Sequence, residues 1–318
     1  MRSVFVFFRA VALLLSAVVS AVAVLSPASA ADAETLTIPS ADGPRSAILV
    51  RAHPPGSRAP PPPLVVVLHG GFGSAEQVRG YMNWDRVARE NNFSVLYPQG
   101  LQRRWNDARA AAFRKLNPSS SNDMAFIRAL VEKVVQSGAA DPARIYVTGV
   151  SNGGHMAHRL VCEAGELFAA AAPVIANLSS TLVQSCPSKP MPMLLINGTA
   201  DQLTPYGGEA KRDTNGPSVL SAPETLAFFA GRNGCRGAAT ETQLADREPG
   251  EGSTVTVIAG AACTHETKLY RINNGGHNAP ARQKRPEGFI AKRISGTQNQ
   301  DLETAEEIWA FFKSKRRQ

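Results

Sequence analysis

A serine lies between two glycines where a run of β-branched and aromatic residues gives way to a helical pattern, in "RIYVTGVSNGGHMAHRL". Gly149-Val150-Ser151-Asn152-Gly153 is a GxSxG. A serine on a sharp strand-to-helix turn is held in a strained backbone conformation, and its neighbours must be glycine for strand and helix to approach. Such a turn lifts the Ser151 hydroxyl clear of a sheet. It also sets the hydroxyl near a helix N-terminus, which favours developing negative charge. The expected chemistry is nucleophilic attack by Ser151.

A serine hydroxyl is a weak nucleophile near neutral pH, so it needs a base, and the base needs an orienting acid. In a strand-turn-helix setting the chain order is Ser, Asp or Glu, then His. Of the six histidines, His53, His69, His155 and His158 do not follow such an acid. His277, in "RINNGGHNAP", sits in a Gly- and Asn-rich turn directly after an apolar strand, and is the expected base. His265, in "CTHETKLY", enters a strand beside a cysteine and is assigned a structural role. The acid is Asp201: "PMPMLLINGTADQLTPY" reads as a buried strand ending in a turn that delivers a carboxylate to the C-terminal edge of a sheet. "VVVLHGGFGSAEQ" supplies a second strand ending in glycines. The N–H of Gly71 or Phe72, with that of Asn152, is expected to form the oxyanion hole, each donor lowering the barrier by about 3 kcal/mol. Which of Gly71 and Phe72 donates stays open. His69 is expected to brace this loop. Trp105 and Tyr206, on loops near these residues, are candidate substrate contacts.

The elements that must hold these groups follow from patterning. Strand-like runs occur at "ETLTI", "SAILVRA", "LVVVLHG", "SVLYPQG", "RIYVTGV", "PMLLING" and "KLYRIN". Helical patterns run from Met124 to about Gln136, from about Asn152 to Cys162, and from near Ala222 and near Asp301. Asn122 or Asp123 can cap the first of these. "LVVVL" and "IYVTGV" are apolar nearly throughout, as strands covered on both faces must be. The alternation predicts an α/β fold with a mostly parallel central sheet and helices on both faces. "PPGSRAPPPP", Pro54 to Pro63, is loop or extended chain leading from an edge hairpin into the first buried strand. Residues 207–221 and 279–299 read as loops, and "KSKRRQ" as a solvated tail.

Residues 1–30 carry Arg2 and Arg9, an uncharged apolar run from Ala10 to Leu25, and Ala28-Ser29-Ala30. This is the pattern of a cleaved signal peptide, leaving residues 31–318 as one catalytic domain, secreted or periplasmic, without a membrane anchor. Export makes disulfides the expected state of Cys162, Cys186, Cys235 and Cys263. Of three possible pairings, Cys162–Cys186 and Cys235–Cys263 close the short local loops. No CxxC metal or redox spacing occurs. The 318 residues are 43% hydrophobic and 19% charged, which excludes wholesale disorder and collagen. Arg and Lys number 34 against 26 acidic residues, a net charge of +8, but they are scattered and form no nucleic-acid stripe.

Taken in order, "LHGGFGSAEQ", "SNDMAFI", "RIYVTGVSNGGHMAHRL", "INGTADQLTPY", "NGC", "NGGHN" and "NQDLETAEEIWAFF" resemble the secreted polyhydroxybutyrate depolymerase and feruloyl esterase family of α/β-hydrolases. The resemblance implies carboxylic ester hydrolysis on Ser151, Asp201 and His277, no cofactor or metal, and aryl or polyester substrates. It also supports the cysteine pairing. Members often follow the catalytic histidine with a Trp-Pro-Gly-like segment; here Asn278-Ala279-Pro280 follows. The aromatic wall beside the base is then absent or supplied elsewhere. A peptidase or an acyltransferase of the same fold, and a non-catalytic binding protein on a hydrolase scaffold, are the competing readings.

Overall fold

A computed structural model of the chain describes residues 33–109, 121–186, 189–209, 219–285 and 293–317. The expected signal peptide at residues 1–30, and parts of the two polar loops at 210–218 and 286–292, lie outside the described residues.

Among the described residues, ten strands form one sheet: β1 (Ala33–Ile38), β2 (Arg45–Val50), β3 (Leu64–Leu68), β4 (Ser94–Pro98), β5 (Ile145–Val150), β6 (Ala170–Val174), β7 (Met193–Gly198), β8 (Thr240–Gln243), β9 (Thr254–Ala259) and β10 (Thr267–Asn273). Their order is β1-β2-β4-β3-β5-β6-β7-β10-β9-β8. The six central strands, β4 to β10 in that order, pair in parallel. Antiparallel hairpins close the two edges. β3, β4, β5, β6 and β7 are buried at every position, whereas the edge strand β1 alternates between exposed and half-buried residues before ending at buried Ile38. Strands sandwiched by helices must be apolar on both faces; an edge strand need not be.

Seven α-helices among these residues cover the two faces: α1 (Ala75–Tyr81), α2 (Trp84–Asn91), α3 (Asp123–Gln136), α4 (Asn152–Ala164), α5 (Ser180–Ser185), α6 (Ala222–Arg232) and α7 (Thr304–Phe312). One face buries Phe126, Leu130, Met156, Leu160 and Phe229 of α3, α4 and α6 against Leu64, Val66, Leu68 and Leu195 of the sheet. The other face packs Val78, Trp84, Val87, Ile308, Trp309 and Phe312 of α1, α2 and α7 on Val65, Val67 and Tyr146. Burial of such side chains contributes about 1.5–3 kcal/mol each. Asn122 caps α3, its side chain accepting the Ala125 N–H at 3.1 Å.

Both disulfides form, Cys162–Cys186 tying α4 to the end of α5 and Cys235–Cys263 tying the chain after α6 to that before β10. Each closes a loop of fewer than thirty residues, which stabilises by about 3 kcal/mol in the chain-entropy model. Among the described residues, no helix is long and apolar enough to cross a membrane.

The C-terminal segment is mostly exposed, as expected of a solvated tail, but it is tethered to the domain. The Tyr146 hydroxyl donates to the Lys315 carbonyl at 2.7 Å, Lys315 pairs with Glu266 at 2.6 Å, and the Arg317 N–H donates to the Ala143 carbonyl at 2.8 Å. Backbone bonding holds what charge alone would leave in water.

Candidate active site

The turn between β5 and α4 is as tight as the glycines imply. Ser151 has φ 54° and ψ −120°, a strained conformation for a residue with a side chain. A Cβ on Gly149 would lie 2.5 Å from the Gly153 carbonyl oxygen, and one on Gly153 2.5 Å from that of His69. A third glycine, Gly154, packs where a Cβ would meet that of Ala176 at 2.7 Å.

The same sheet edge carries the other two groups. Asp201 follows β7, and its Oδ1 accepts the N–H groups of Leu203 and Thr204, both at 2.8 Å. His277 follows β10, its backbone N–H donating to the Ser295 carbonyl at 2.5 Å. His277 Nδ1 lies 2.7 Å from Asp201 Oδ2, and Nε2 lies 2.8 Å from Ser151 Oγ. Asp201 is buried. With the proton on Nδ1 donated to the carboxylate, Nε2 is left to accept from the serine hydroxyl. His265 precedes β10, at the opposite end of the strand from His277, and its N–H donates to the Asn233 carbonyl.

The loop after β3 abuts the nucleophile: a Cβ on Gly71 would lie 3.6 Å from that of Asn152. The Phe72 N–H is not available to an oxyanion, because it donates to the Arg103 carbonyl at 2.8 Å. That corrects one of the two upstream candidates and leaves Gly71. The Phe72 ring is 66% exposed, with the Arg104 guanidinium 4.1 Å from its centre. An open cleft of about 490 Å³ runs along this loop and α1, lined by Gly71, Phe72, Gln77 and Tyr81.

Of the two expected substrate contacts, one is turned inward and the other is half-buried. Trp105 is fully buried, its indole N–H donating to the His69 carbonyl at 2.9 Å, so it supports the loop and touches no substrate. The half-buried Tyr206 packs on the α3, α4 and α6 face, and its hydroxyl lies against the Arg271 guanidinium. The Trp105 indole has found its partner inside the protein, as a buried Trp requires.

The remaining histidines near the site are held neutral. His69 Nε2 accepts the Gly100 N–H at 2.9 Å and Nδ1 lies 2.8 Å from the Gly70 carbonyl; burial lowers its pKa. Burial also takes His155 well below its ordinary value, and His158 down to about 4. A histidine depressed from 6.5 stabilises the fold fully above pH 6.5, and that contribution, about 3 kcal/mol, is lost as pH falls toward 4. The thermal midpoint should therefore fall between pH 6.5 and about 4, and His158→Gln should flatten the fall; an unchanged slope in that variant contradicts it.

Sequence patterning did not reveal what the Asn152 side chain does. Its Oδ1 accepts the Trp105 N–H at 2.8 Å, and its Nδ2 donates to the Trp105 carbonyl at 3.1 Å and to Asp107 Oδ2 at 2.6 Å. Among the described residues, no group of three or more His, Cys, Asp or Glu side chains could hold a metal ion.

The family model described as esterase PHB depolymerase matches residues 48–187. NocK of Nocardia uniformis subsp. tsuyamanensis, which is named as an esterase, is 30% identical over 242 residues, 71% of this chain and 68% of its own. The chain belongs to the esterase PHB depolymerase family. Feruloyl esterase B of Piromyces equi is 26% identical over 224 residues, which are 68% of this chain but 39% of that protein. Among solved structures, the acetyl xylan esterase of Aspergillus awamori superposes with a TM-score of 0.52 at 17% identity, covering 77% of this chain and 94% of that one, a likeness of fold. The family match spans the Gly71 loop and Ser151. Asp201 and His277 lie beyond it, so for this esterase-family chain their placement rests on the geometry above.

Proposed function

We propose that the chain is an exported serine esterase that hydrolyses carboxylic esters, either aryl and feruloyl esters or short hydroxyalkanoate polyesters. The observation that carries this reading is the pair of contacts around His277, 2.7 Å to Asp201 and 2.8 Å to Ser151. Ser151 Oγ attacks the ester carbonyl while His277 Nε2 takes its proton. The N–H groups of Gly71 and Asn152 receive the negative oxygen of the tetrahedral intermediate. His277 returns the proton to the leaving alkoxide, giving the alcohol and an acyl-enzyme. Water, deprotonated by the same imidazole, then releases the acid and restores Ser151. Asp201 fixes the tautomer and stabilises the imidazolium.

Residues 31–318 act as one catalytic domain in this reading, and residues 1–30 direct export. Two disulfides suit an oxidising compartment. The feruloyl esterase name of one relative and the polyester name of the family support the substrate classes.

Labelling with a fluorophosphonate tests the reading. One adduct is expected, on the peptide containing Ser151, with loss of p-nitrophenyl butyrate hydrolysis in step with labelling. Labelling elsewhere, or activity that survives full labelling, would overturn it.

A further inference from the structure

The chain between β4 and α3 is bonded to both sides of the proposed oxyanion hole. On the β3 side, the Gly100 N–H meets His69 Nε2, the Arg103 carbonyl holds the Phe72 N–H, and the Trp105 indole holds the His69 carbonyl. On the nucleophile side, the Trp105 backbone and Asp107 grip the Asn152 carboxamide. Asp107 is buried. Its Oδ2 accepts from Asn152 Nδ2 at 2.6 Å and from Arg109 Nε and Nη2 at 3.0 and 2.7 Å, and its Oδ1 accepts the Arg109 N–H at 3.2 Å. The segment is fixed again one residue earlier. There the fully buried Asp123 accepts the Asn106 N–H at 2.7 Å and pairs with Arg45 at 2.6 Å.

We propose that Asp107 is a positioning residue for the oxyanion hole: through the Asn152 side chain, it fixes where the Asn152 N–H points. The inference rests on the serine-esterase reading. The carboxamide and the backbone N–H share one Cα, so clamping the first limits the second. A misplaced donor loses most of its value, because oxyanion stabilisation depends on geometry set before the charge forms. The buried carboxylate also keeps Asn152 Nδ2 satisfied where no water would replace it.

Asp107→Asn is isosteric, yet it cannot keep the arrangement. Both carboxylate oxygens accept hydrogen bonds, so either orientation of the amide sets an N–H₂ against a donor. The expected result is a kcat per labelled active site lower by about 10- to 100-fold, with KM changed by less than about threefold. Affinity for a phenylboronic acid, whose tetrahedral adduct on Ser151 places an oxygen in the hole, should fall in parallel. Asn152→Ala, which keeps the backbone N–H but removes the clamp, should show the same split. Adding Asp107→Asn to it should cost less than about threefold more, because the path is already broken. If Asp107→Asn does not fold, Asn152→Ala alone decides. Per-site kcat within about threefold of wild type in either folded single variant, or multiplying effects in the double variant, would overturn the inference. Ser151→Ala in the same assay separates the two failures. If it is inactive while Asp107→Asn is normal, only this inference fails; if it turns over, the esterase reading fails and takes this inference with it.

Discussion

Ser151→Ala is expected to lower kcat for p-nitrophenyl butyrate by about 10⁴-fold or more, with the fold intact. The hydroxyl bonds to His277 Nε2 at 2.8 Å and caps no helix N–H. Its removal therefore leaves the turn in place, which is set by Gly149 and Gly153 and by the Ser151 N–H donating to the Val174 carbonyl. The far-ultraviolet circular dichroism and thermal midpoint should match wild type. A second substitution, His277→Ala, should cost nearly as much alone and add little to Ser151→Ala, because groups that act as a unit are not additive. Losses that multiply would mean that His277 and Ser151 serve separate steps, and the shared-proton mechanism would be wrong.

How much of this was legible before the structure depends on the range of the cause. β3 and β5 were legible because burial on both faces demands apolar residues at nearly every position. The nucleophile turn was legible because its requirement is steric and local: strand, glycine, serine, glycine, helix. β6, at the centre of the sheet, was not. Its sequence, Ala170 to Val174, is mostly alanine with Pro173, and neither residue type favours a strand. The role of Asp107 was equally hidden, since its partner Asn152 is 45 positions away in sequence and neither residue type announces the contact. Trp105 was misread for the same reason. An aromatic on a loop near a catalytic residue can point into the cleft or into the core, and only the packing of distant segments decides.

The steric requirement itself can be tested at Gly153. Gly153→Ala would place a Cβ 2.5 Å from the His69 carbonyl oxygen and closer still to that of Leu68. Those oxygens belong to the end of β3 and the start of the oxyanion loop. β3 cannot give way, because it is paired on both sides, with β4 and with β5. The strain must then move the start of α4, which carries Asn152 and orients Ser151. Overpacking against fixed backbone costs about 3 kcal/mol. In a chain of this size that lowers the thermal midpoint by about 5 °C. Activity should fall further than stability explains, by about 100-fold in kcat at temperatures where the variant remains folded, since a displacement near 1 Å is enough. Gly231→Ala is the control: it lies in α6, and a Cβ there meets nothing within 4 Å, so it should leave kcat unchanged and hold or raise the midpoint. Equal midpoints for the two variants would show that the second glycine of the motif is not set by the approach of α4 to β3.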